Sequence, residues 1–214
     1  MLGIGRQKLN FELSAHGKHP AFSDYFSLNT DFPLVNALLG WVEKGVKFKT
    51  DTKENRMSHS FRFWVRGIKK GELVLGIIRD SSDRLGRPYP LLIMGSGFVK
   101  DWEKRWQYIF NSFETVFRAF EDSVASRYES FKEFETKLAR INFPESLSVK
   151  ESNVGMEQPG LFSRKADVPG AVFQGGLPEN PVLTIYTRPL KTNDFLDLFN
   201  ISHGEQNSMG GQNQ

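Results

Sequence analysis

The sequence contains no cysteine, and this absence excludes several kinds of site at once. Without a thiol the chain can form no disulfide, bind no metal through thiolate and use no cysteine nucleophile. It also lacks any apolar run approaching the roughly 18 residues from which a membrane-spanning helix is recognised. The first residues, MLGIGRQK, do not form the apolar segment of a signal peptide. These absences predict a cytoplasmic protein with no direct membrane insertion.

Long runs of like charge are absent as well. The 28 basic and 25 acidic residues are scattered along the chain and give a net charge of +3. Proteins that bind nucleic acid usually carry a clustered basic stripe. The densest basic groups here are short and lie within residues 44–49 and 62–70. The charge pattern is typical of an ordinary solvated surface and predicts no nucleic-acid partner.

Apolar residues are plentiful enough for a folded core. Hydrophobic residues make up 39% of the chain and aromatic residues 13%, which is incompatible with global disorder. We predict a single domain over residues 1–203. The last residues, GEQNSMGGQNQ, have nothing to bury and predict a disordered polar tail over residues 204–214.

Apolar periodicity predicts a mixture of strands and helices. The predicted strands are one that ends at Gly17, a hairpin of Phe61–Val65 with Leu73–Ile78, Tyr89–Val99 and Val182–Thr187. The predicted helices are one with Pro33 in its first turn, a longest one from Trp102 with Asp101 as its cap, one from Ser130 and a short one over Asp194–Phe199. Residues 142–180 are rich in Gly, Pro, Ser and Asn and predict a long loop. Short turns between successive strands favour antiparallel pairing, so we expect an α/β fold with a mainly antiparallel sheet.

The most informative stretch runs from Gly76 to Leu91 and reads GIIRDSSDRLGRPYPL. A buried strand breaks there into a charged turn, and binding residues are often carried on such exposed turns. Arg84 and Arg87 are suited to bidentate contact with a phosphate or carboxylate of a partner. The alternative is a purely structural turn in which Asp83 caps the backbone, Gly86 supplies a positive φ angle and Arg87 pairs with Asp24 or Asp83. Both interpretations remain open and are compatible with each other.

Other candidate chemistry in the sequence is weaker. His16, His19 and Asp24 have the residue types of a metal site, but Gly17 and Pro20 argue against the helix that would align the two imidazoles, so we expect no metal and no cofactor. Gly17 and Lys18 resemble the end of a phosphate-binding loop, yet the required first glycine is replaced by Glu12. Ser14, His16 and Asp24 have the residue types of a catalytic triad, but the serine is not surrounded by the pattern of a nucleophile elbow. We therefore expect no enzymatic activity.

Two segments together resemble the TagF (also called ImpM) accessory proteins of bacterial type VI secretion systems. GKHPAFSDYF at residues 17–26 is similar to the family pattern Gly-Lys-x-Pro-x-x-Gly-Asp-Phe, and SSDRLGRPYPL at residues 81–91 is similar to Ser-x-Asp-Arg-x-Gly-Arg-x-Tyr/Phe-Pro-Leu. The chain departs from the family at Ser23, where glycine is usual, and at Arg79 with Asp80, where a small or apolar residue and proline are common. The positions that match the two patterns are Gly17, Lys18, Pro20, Asp24, Asp83, Arg84, Gly86, Arg87, Tyr89, Pro90 and Leu91.

The resemblance implies a three-layer α/β/α sandwich and a non-enzymatic regulator that restrains the secretion apparatus after translation. It also implies a protein partner, for which a scaffold with a forkhead-associated domain is the leading expectation. The expected partner-binding or site-bracing residues are Asp24, Asp83, Arg84, Gly86 and Arg87, and charge reversal at Arg87 is expected to abolish binding and leave the domain folded. The alternatives are an adaptor that reads phosphate through Arg84 and Arg87, and a small hydrolase that uses His16 and Asp24.

Overall fold

Seven antiparallel strands form one sheet in the computed structural model, which describes residues 11–48, 59–144, 167–177 and 180–200. In space the strands lie in the order β2-β1-β5-β4-β3-β6-β7. The predicted α/β class and mainly antiparallel sheet are confirmed. The strands are β1 (Phe11–Gly17), β2 (Phe26–Leu28), β3 (Ser60–Arg66), β4 (Glu72–Arg79), β5 (Leu91–Phe98), β6 (Ala171–Leu177) and β7 (Asn180–Tyr186).

The pairing of β1 with β5 brings the two family-like segments together. His16 lies opposite Leu92 in this register, so the loop that follows β1 leaves the sheet beside the turn that precedes β5. β4 pairs with the other side of β5, with Arg79 opposite Leu91. The end of β1, the end of β4 and the beginning of β5 therefore lie side by side at the same end of the sheet.

The helices contribute to two separate hydrophobic cores. They are α1 (Pro33–Phe48), a 3₁₀ helix (Trp102–Tyr108), α2 (Ile109–Ser112), α3 (Glu114–Ala125), α4 (Phe131–Ala139) and α5 (Thr192–Asn200). Leu73, Leu75 and Ile77 of β4 pack in the core that contains the 3₁₀ helix and α2 to α4. Val74 and Ile78 pack in the core that contains α1 and α5. Because neighbouring strand residues point to opposite faces, this alternation fits a sheet with helices on both sides, and the three-layer sandwich stays a prediction for the chain as a whole.

The prediction of one long helix from Trp102 is wrong. The backbone changes from a 3₁₀ helix to α2 and then breaks at Phe113, whose φ and ψ are −108° and 18°. Asp101 adopts a left-handed φ of 57° and makes no side-chain capping bond. The apolar spacing survives these breaks because Trp102 and Trp106 both pack against Trp64, with ring centroids at 5.3 and 6.0 Å. Tertiary packing of bulky rings overrides helical propensity here, and α1 is the longest helix among the described residues.

The prediction of a loop over residues 142–180 is wrong where it covers β6. This strand pairs with β3, with Phe63 opposite Phe173. Its glycines suggested a loop, but Gly175 lies against the Phe61 ring, where an added Cβ would be 2.7 Å from Cε1. Glycine here provides room for an aromatic neighbour. Residues 145–166 and the predicted tail at 204–214 lie outside the described residues, and the domain boundary at residue 203 stays a prediction.

The other predicted elements are confirmed. The hairpin of β3 and β4, the helix opened by Pro33 and the short helix α5 all form close to the predicted residues. Ser130 caps α4 by accepting a hydrogen bond from the Glu133 backbone N–H. Among the described residues no helix combines the length and apolar character needed to cross a membrane.

Candidate functional site

The candidate site consists of the loop over residues 18–25 and the turn over residues 80–90, which we call the motif cluster. The loop follows Gly17, whose φ of 125° turns the chain out of β1. An added Cβ at Gly17 would lie 2.0 Å from the Pro90 carbonyl oxygen, so the loop and the turn touch through backbone at this point. Only glycine permits both the φ angle and this close approach.

Asp83 organises the turn from within. Its Oδ1 accepts hydrogen bonds from the backbone N–H groups of Leu85 and Arg87, each at 3.0 Å. Its own carbonyl oxygen accepts from the N–H of Gly86 at 2.9 Å, and Gly86 has a φ of 79°. This is an Asx-type turn, in which a side-chain oxygen replaces a backbone acceptor and glycine takes the left-handed position.

The other carboxylate oxygen of Asp83 holds two cations. Lys18 Nζ lies 3.0 Å and Arg87 Nε 2.7 Å from Asp83 Oδ2. The Asp83 side chain is fully buried, and only 5% of the Lys18 side chain is exposed. Lys18 also donates to the Arg87 carbonyl oxygen at 3.3 Å. A buried lysine therefore links the first segment to the second.

Arg87 joins the two segments from the surface side. Its Nη2 donates to the Ser23 carbonyl oxygen at 2.7 Å and lies 3.6 Å from Asp24 Oδ1. In addition, the Arg84 backbone N–H donates to the Phe22 carbonyl oxygen at 2.7 Å. Reversing the charge of Arg87 would thus disturb the contacts that hold the cluster together as well as its surface, so Arg87 cannot by itself separate binding from folding.

The Asp83 carboxylate is ionised throughout the physiological pH range. Burial alone would raise its pKa, but hydrogen bonds from the Arg87 backbone and the Lys18 ammonium, together with the Arg87 charge, outweigh burial and lower the pKa to about 2. Its ordinary value in an unfolded chain is about 3.9. The folded state therefore binds this proton less readily than the unfolded state.

We expect this difference to appear as an acid-dependent loss of stability. A depressed folded-state pKa stabilises the protein fully above about pH 4, and the contribution disappears as the pH falls toward about 2. The stability difference between the wild type and Asp83→Asn should therefore shrink as the pH is lowered through this range. Urea unfolding of both proteins at several pH values measures it. A difference that stayed constant down to the lower limit would contradict the assigned pKa.

The outer rim of the motif cluster is exposed and partly apolar. Tyr25 is 51% exposed and Leu85 71% exposed. The Tyr25 ring covers the Lys18 ammonium at 4.4 Å and contacts the Tyr89 ring edge-on at 4.8 Å. The exposed Arg84 side chain makes no hydrogen bond or ion pair with any residue that the structure describes. Tyr25, Arg84 and Leu85, which we call the rim, thus offer large contact groups on a backbone held by ion pairs.

The structure separates the two arginines that the sequence grouped together. Arg87 uses Nε and Nη2 within the cluster, whereas Arg84 keeps its whole guanidinium for solvent or a ligand. A phosphate contact that uses the guanidinium groups of both Arg84 and Arg87 in bidentate fashion would require Arg87 to release Asp83. The geometry favours a single-arginine contact at Arg84.

The residues of the weaker candidate sites do not come together. Ser14 Oγ donates to the Asn29 carbonyl oxygen at 2.6 Å, and His16 Nδ1 lies 2.8 Å from Ser27 Oγ. His19 is buried, with Nδ1 accepting from the Ala21 N–H and Nε2 facing the Val124 carbonyl oxygen at 3.1 Å. Burial lowers the pKa of His19, although the Val124 hydrogen bond opposes this. Within the described ranges no group of three or more potential ligands is placed to hold a metal ion.

Sequence reasoning missed the rim residues Tyr25 and Leu85. Both are apolar or aromatic positions beside charged ones, a pattern that does not distinguish a core residue from a contact residue. The departure from the family pattern at Asp80 also has a local explanation. Asp80 Oδ2 accepts from the His59 backbone N–H at 3.1 Å and lies 2.7 Å from its Nδ1, so it ties the chain before β3 to the turn.

A family model described as the TagF N-terminal domain, type VI secretion system-associated, matches residues 14–141. This match covers more than half of the chain and includes both segments of the motif cluster. The chain belongs to the TagF family. It is therefore a type VI secretion-associated accessory protein, as the two segments predicted. The matched residues begin within β1 and end just beyond α4.

One solved structure supports the fold of this TagF protein. The crystal structure of PA0076 from Pseudomonas aeruginosa PAO1 is similar with a TM-score of 0.58, over 87% of this chain and 93% of that chain. The two sequences are 19% identical, so the likeness concerns the fold alone. A search of curated proteins finds no match.

Proposed function

We propose that this TagF protein is a cytoplasmic negative regulator that binds a component of the type VI secretion apparatus and holds it inactive. The proposed partner is a scaffold protein with a forkhead-associated domain, as the family resemblance implied. The proposal needs no catalytic step, because a binder that sequesters its partner acts by mass action. The observation that carries it is the exposed rim of Tyr25, Arg84 and Leu85 on an ion-paired frame.

The frame explains how a turn can serve as a binding surface. Asp83, Lys18 and Arg87 fix the backbone on both sides of Arg84 through bonds of 2.7 to 3.3 Å. A turn that is ordered before binding loses little conformational entropy when a partner docks. Tyrosine and arginine are also the residue types that most often dominate binding energy at protein interfaces. The rim combines both in one place.

We expect Arg84→Glu to weaken partner binding by about thirtyfold or more without changing stability. The magnitude is that of a typical interface hot spot. Stability should hold because the Arg84 side chain makes no hydrogen bond or ion pair with any described residue. Titration of the purified scaffold, with thermal unfolding of each variant, measures both quantities. In the native bacterium, overproduction of the variant should no longer reduce secretion, whereas the wild type should.

Lys132→Glu provides a matched control for this charge reversal. Its side chain is 85% exposed on α4 and pairs only weakly with Glu135, at 3.6 Å. The control should bind the scaffold like the wild type. Equal binding by Arg84→Glu and the wild type would contradict the assignment of the rim. Failure of the wild type to bind the scaffold or to reduce secretion would contradict the proposed function itself.

A phosphate-reading adaptor is the second candidate, supported by the unengaged guanidinium of Arg84. The same titration tests it when the scaffold is replaced by matched phosphorylated and unphosphorylated peptides. Preference for the phosphorylated peptide that is lost in Arg84→Glu would favour this function. The Lys132→Glu control should keep the preference, because Lys132 lies on α4, outside the motif cluster.

A further inference from the structure

A second exposed surface lies at the opposite end of the sheet, around the turn between β3 and β4. This turn, Gly67–Gly71, has the sequence GIKKG. Ile68 at its tip is 94% exposed, and Phe98 at the end of β5 is 58% exposed. The eight residues of β4 separate this turn from the motif cluster by roughly 25 Å. The two surfaces are therefore independent.

The turn is rigid. The Gly67 N–H donates to the Glu72 carbonyl oxygen at 3.0 Å, and the Glu72 N–H donates to the Lys69 carbonyl oxygen at 3.1 Å. Gly71 donates to Glu103 Oε1 at 2.8 Å and accepts from the Val99 N–H at 2.8 Å. An added Cβ at Gly71 would lie 2.4 Å from the Phe98 ring, so the turn and the end of β5 are in direct contact. Ile68 is thus held outward on an ordered backbone.

Lysines surround the two exposed apolar side chains. We call this surface the basic tip; it consists of Ile68, Lys69, Lys70, Phe98, Lys100 and Lys104. Lys104 pairs with Asp101 at 3.0 Å, and Lys69 lies 3.9 Å from Glu72. Lys70 and Lys100 make no ion pair with the residues the structure describes, yet both lie near enough to Asp101 to help lower its pKa, after the larger effect of Lys104. The four lysines of the tip outnumber the neighbouring carboxylates of Glu72, Asp101 and Glu103 by one, so the tip has a small positive surplus around a protruding apolar residue.

We propose that the basic tip docks on an anionic membrane surface, with the lysines facing lipid headgroups and Ile68 at the boundary between headgroups and acyl chains. The shape supports a lipid surface over a protein partner, because Ile68 projects from a convex turn and occupies no groove. The composition supports it too. Lysine is depleted at protein interfaces, whereas exposed lysines next to apolar residues are typical of surfaces that bind anionic lipid. The contact is peripheral and places no chain segment within the hydrocarbon.

Vesicle sedimentation with the full chain tests this proposal. We expect binding to vesicles of phosphatidylcholine with phosphatidylglycerol, little binding to phosphatidylcholine alone, and loss of binding at high salt. The double variant Lys70→Gln/Lys100→Gln should lower the affinity by about thirtyfold, as expected for two lysines near an anionic surface. Ile68→Ser should lower it by about tenfold through lost apolar contact. Both variants should melt like the wild type.

Matched variants elsewhere show whether the effect is local. Lys47→Gln/Lys132→Gln removes the same amount of charge from side chains that are 70% and 85% exposed, and Leu177→Ser removes an apolar side chain that is 70% exposed and lies outside both surfaces. These controls should bind anionic vesicles like the wild type. Absence of wild-type binding, equal binding to neutral vesicles, or equal losses in the control variants would each overturn the proposal. Capture by immobilised polyglutamate without vesicle binding would also overturn it and assign the tip to an acidic protein.

Discussion

Gly17→Ala should destabilise the protein by more than about 3 kcal/mol, although it adds only one methylene group to the chain. Two costs add at this position. A φ of 125° is strained for any residue with a Cβ. The new Cβ would also lie 2.0 Å from the Pro90 carbonyl oxygen and 3.0 Å from Leu91 Cα. Both contacts are with backbone, so no side-chain rotation relieves them. Equilibrium unfolding in urea measures the loss.

Gly86→Ala is the matched control, because it shares the left-handed backbone but not the close contact. Its φ is 79°, and an added Cβ would meet nothing within 4 Å. We expect only the conformational cost, about 1–2 kcal/mol. Equal losses in the two variants would show that strain alone accounts for both, and that the backbone contact between loop and turn contributes nothing.

Asp83→Leu should raise the unfolding equilibrium constant about a hundredfold or more. The substitution leaves the ammonium group of Lys18 without its carboxylate, on a side chain that is only 5% exposed. It also removes the acceptor for two backbone N–H groups. Partner binding should fall as well, because the turn loses the group that orders it. Urea unfolding and scaffold titration of the same variant measure the two effects.

Asp24→Asn tests whether burial is the reason for this sensitivity. Asp24 also faces Arg87, but at 3.6 Å and with 69% of its side chain exposed. Exposed ion pairs contribute little, so the stability should change by less than about 1 kcal/mol.

Restoration of stability by Lys18→Met in the Asp83→Leu background would confirm that the stranded ammonium is the main cost. A double variant as unstable as Asp83→Leu would assign the cost to the turn hydrogen bonds.

The sequence predicted the sheet better than the helices, for physical reasons. The continuous apolar run of β4 directly reflects burial on both faces of the sheet, and adjacent Phe63 and Trp64 of β3 are also buried, on opposite faces. The helical stripe after Trp102 reflects burial too, but it does not record the breaks at Arg105 and Phe113. Trp102 and Trp106, on either side of the break at Arg105, pack against Trp64, and a contact between residues so far apart in the chain is not specified by a local pattern.

In the candidate site too, the local turn features could be predicted from the sequence, whereas the long-range contacts could not. The Asx turn at Asp83 and the positive φ of Gly86 follow from local residue types, so a short sequence pattern could predict them. The burial of Lys18 against Asp83 could not be predicted in this way, because an isolated lysine in a loop is normally solvated. It depends on the pairing of β1 with β5, which periodicity does not determine.

That pairing also sets when the site can form during folding. β3, β4 and β5 are consecutive strands joined by turns, so their contacts close short loops. Ala15 of β1 pairs with Ile93, far along the chain, and such a contact forms only after a large loop has closed. The ion-paired frame depends on this long-range contact, because Lys18 follows β1 and Asp83 precedes β5. We therefore expect a chain in which β1 has not yet paired with β5 to lack the ordered rim.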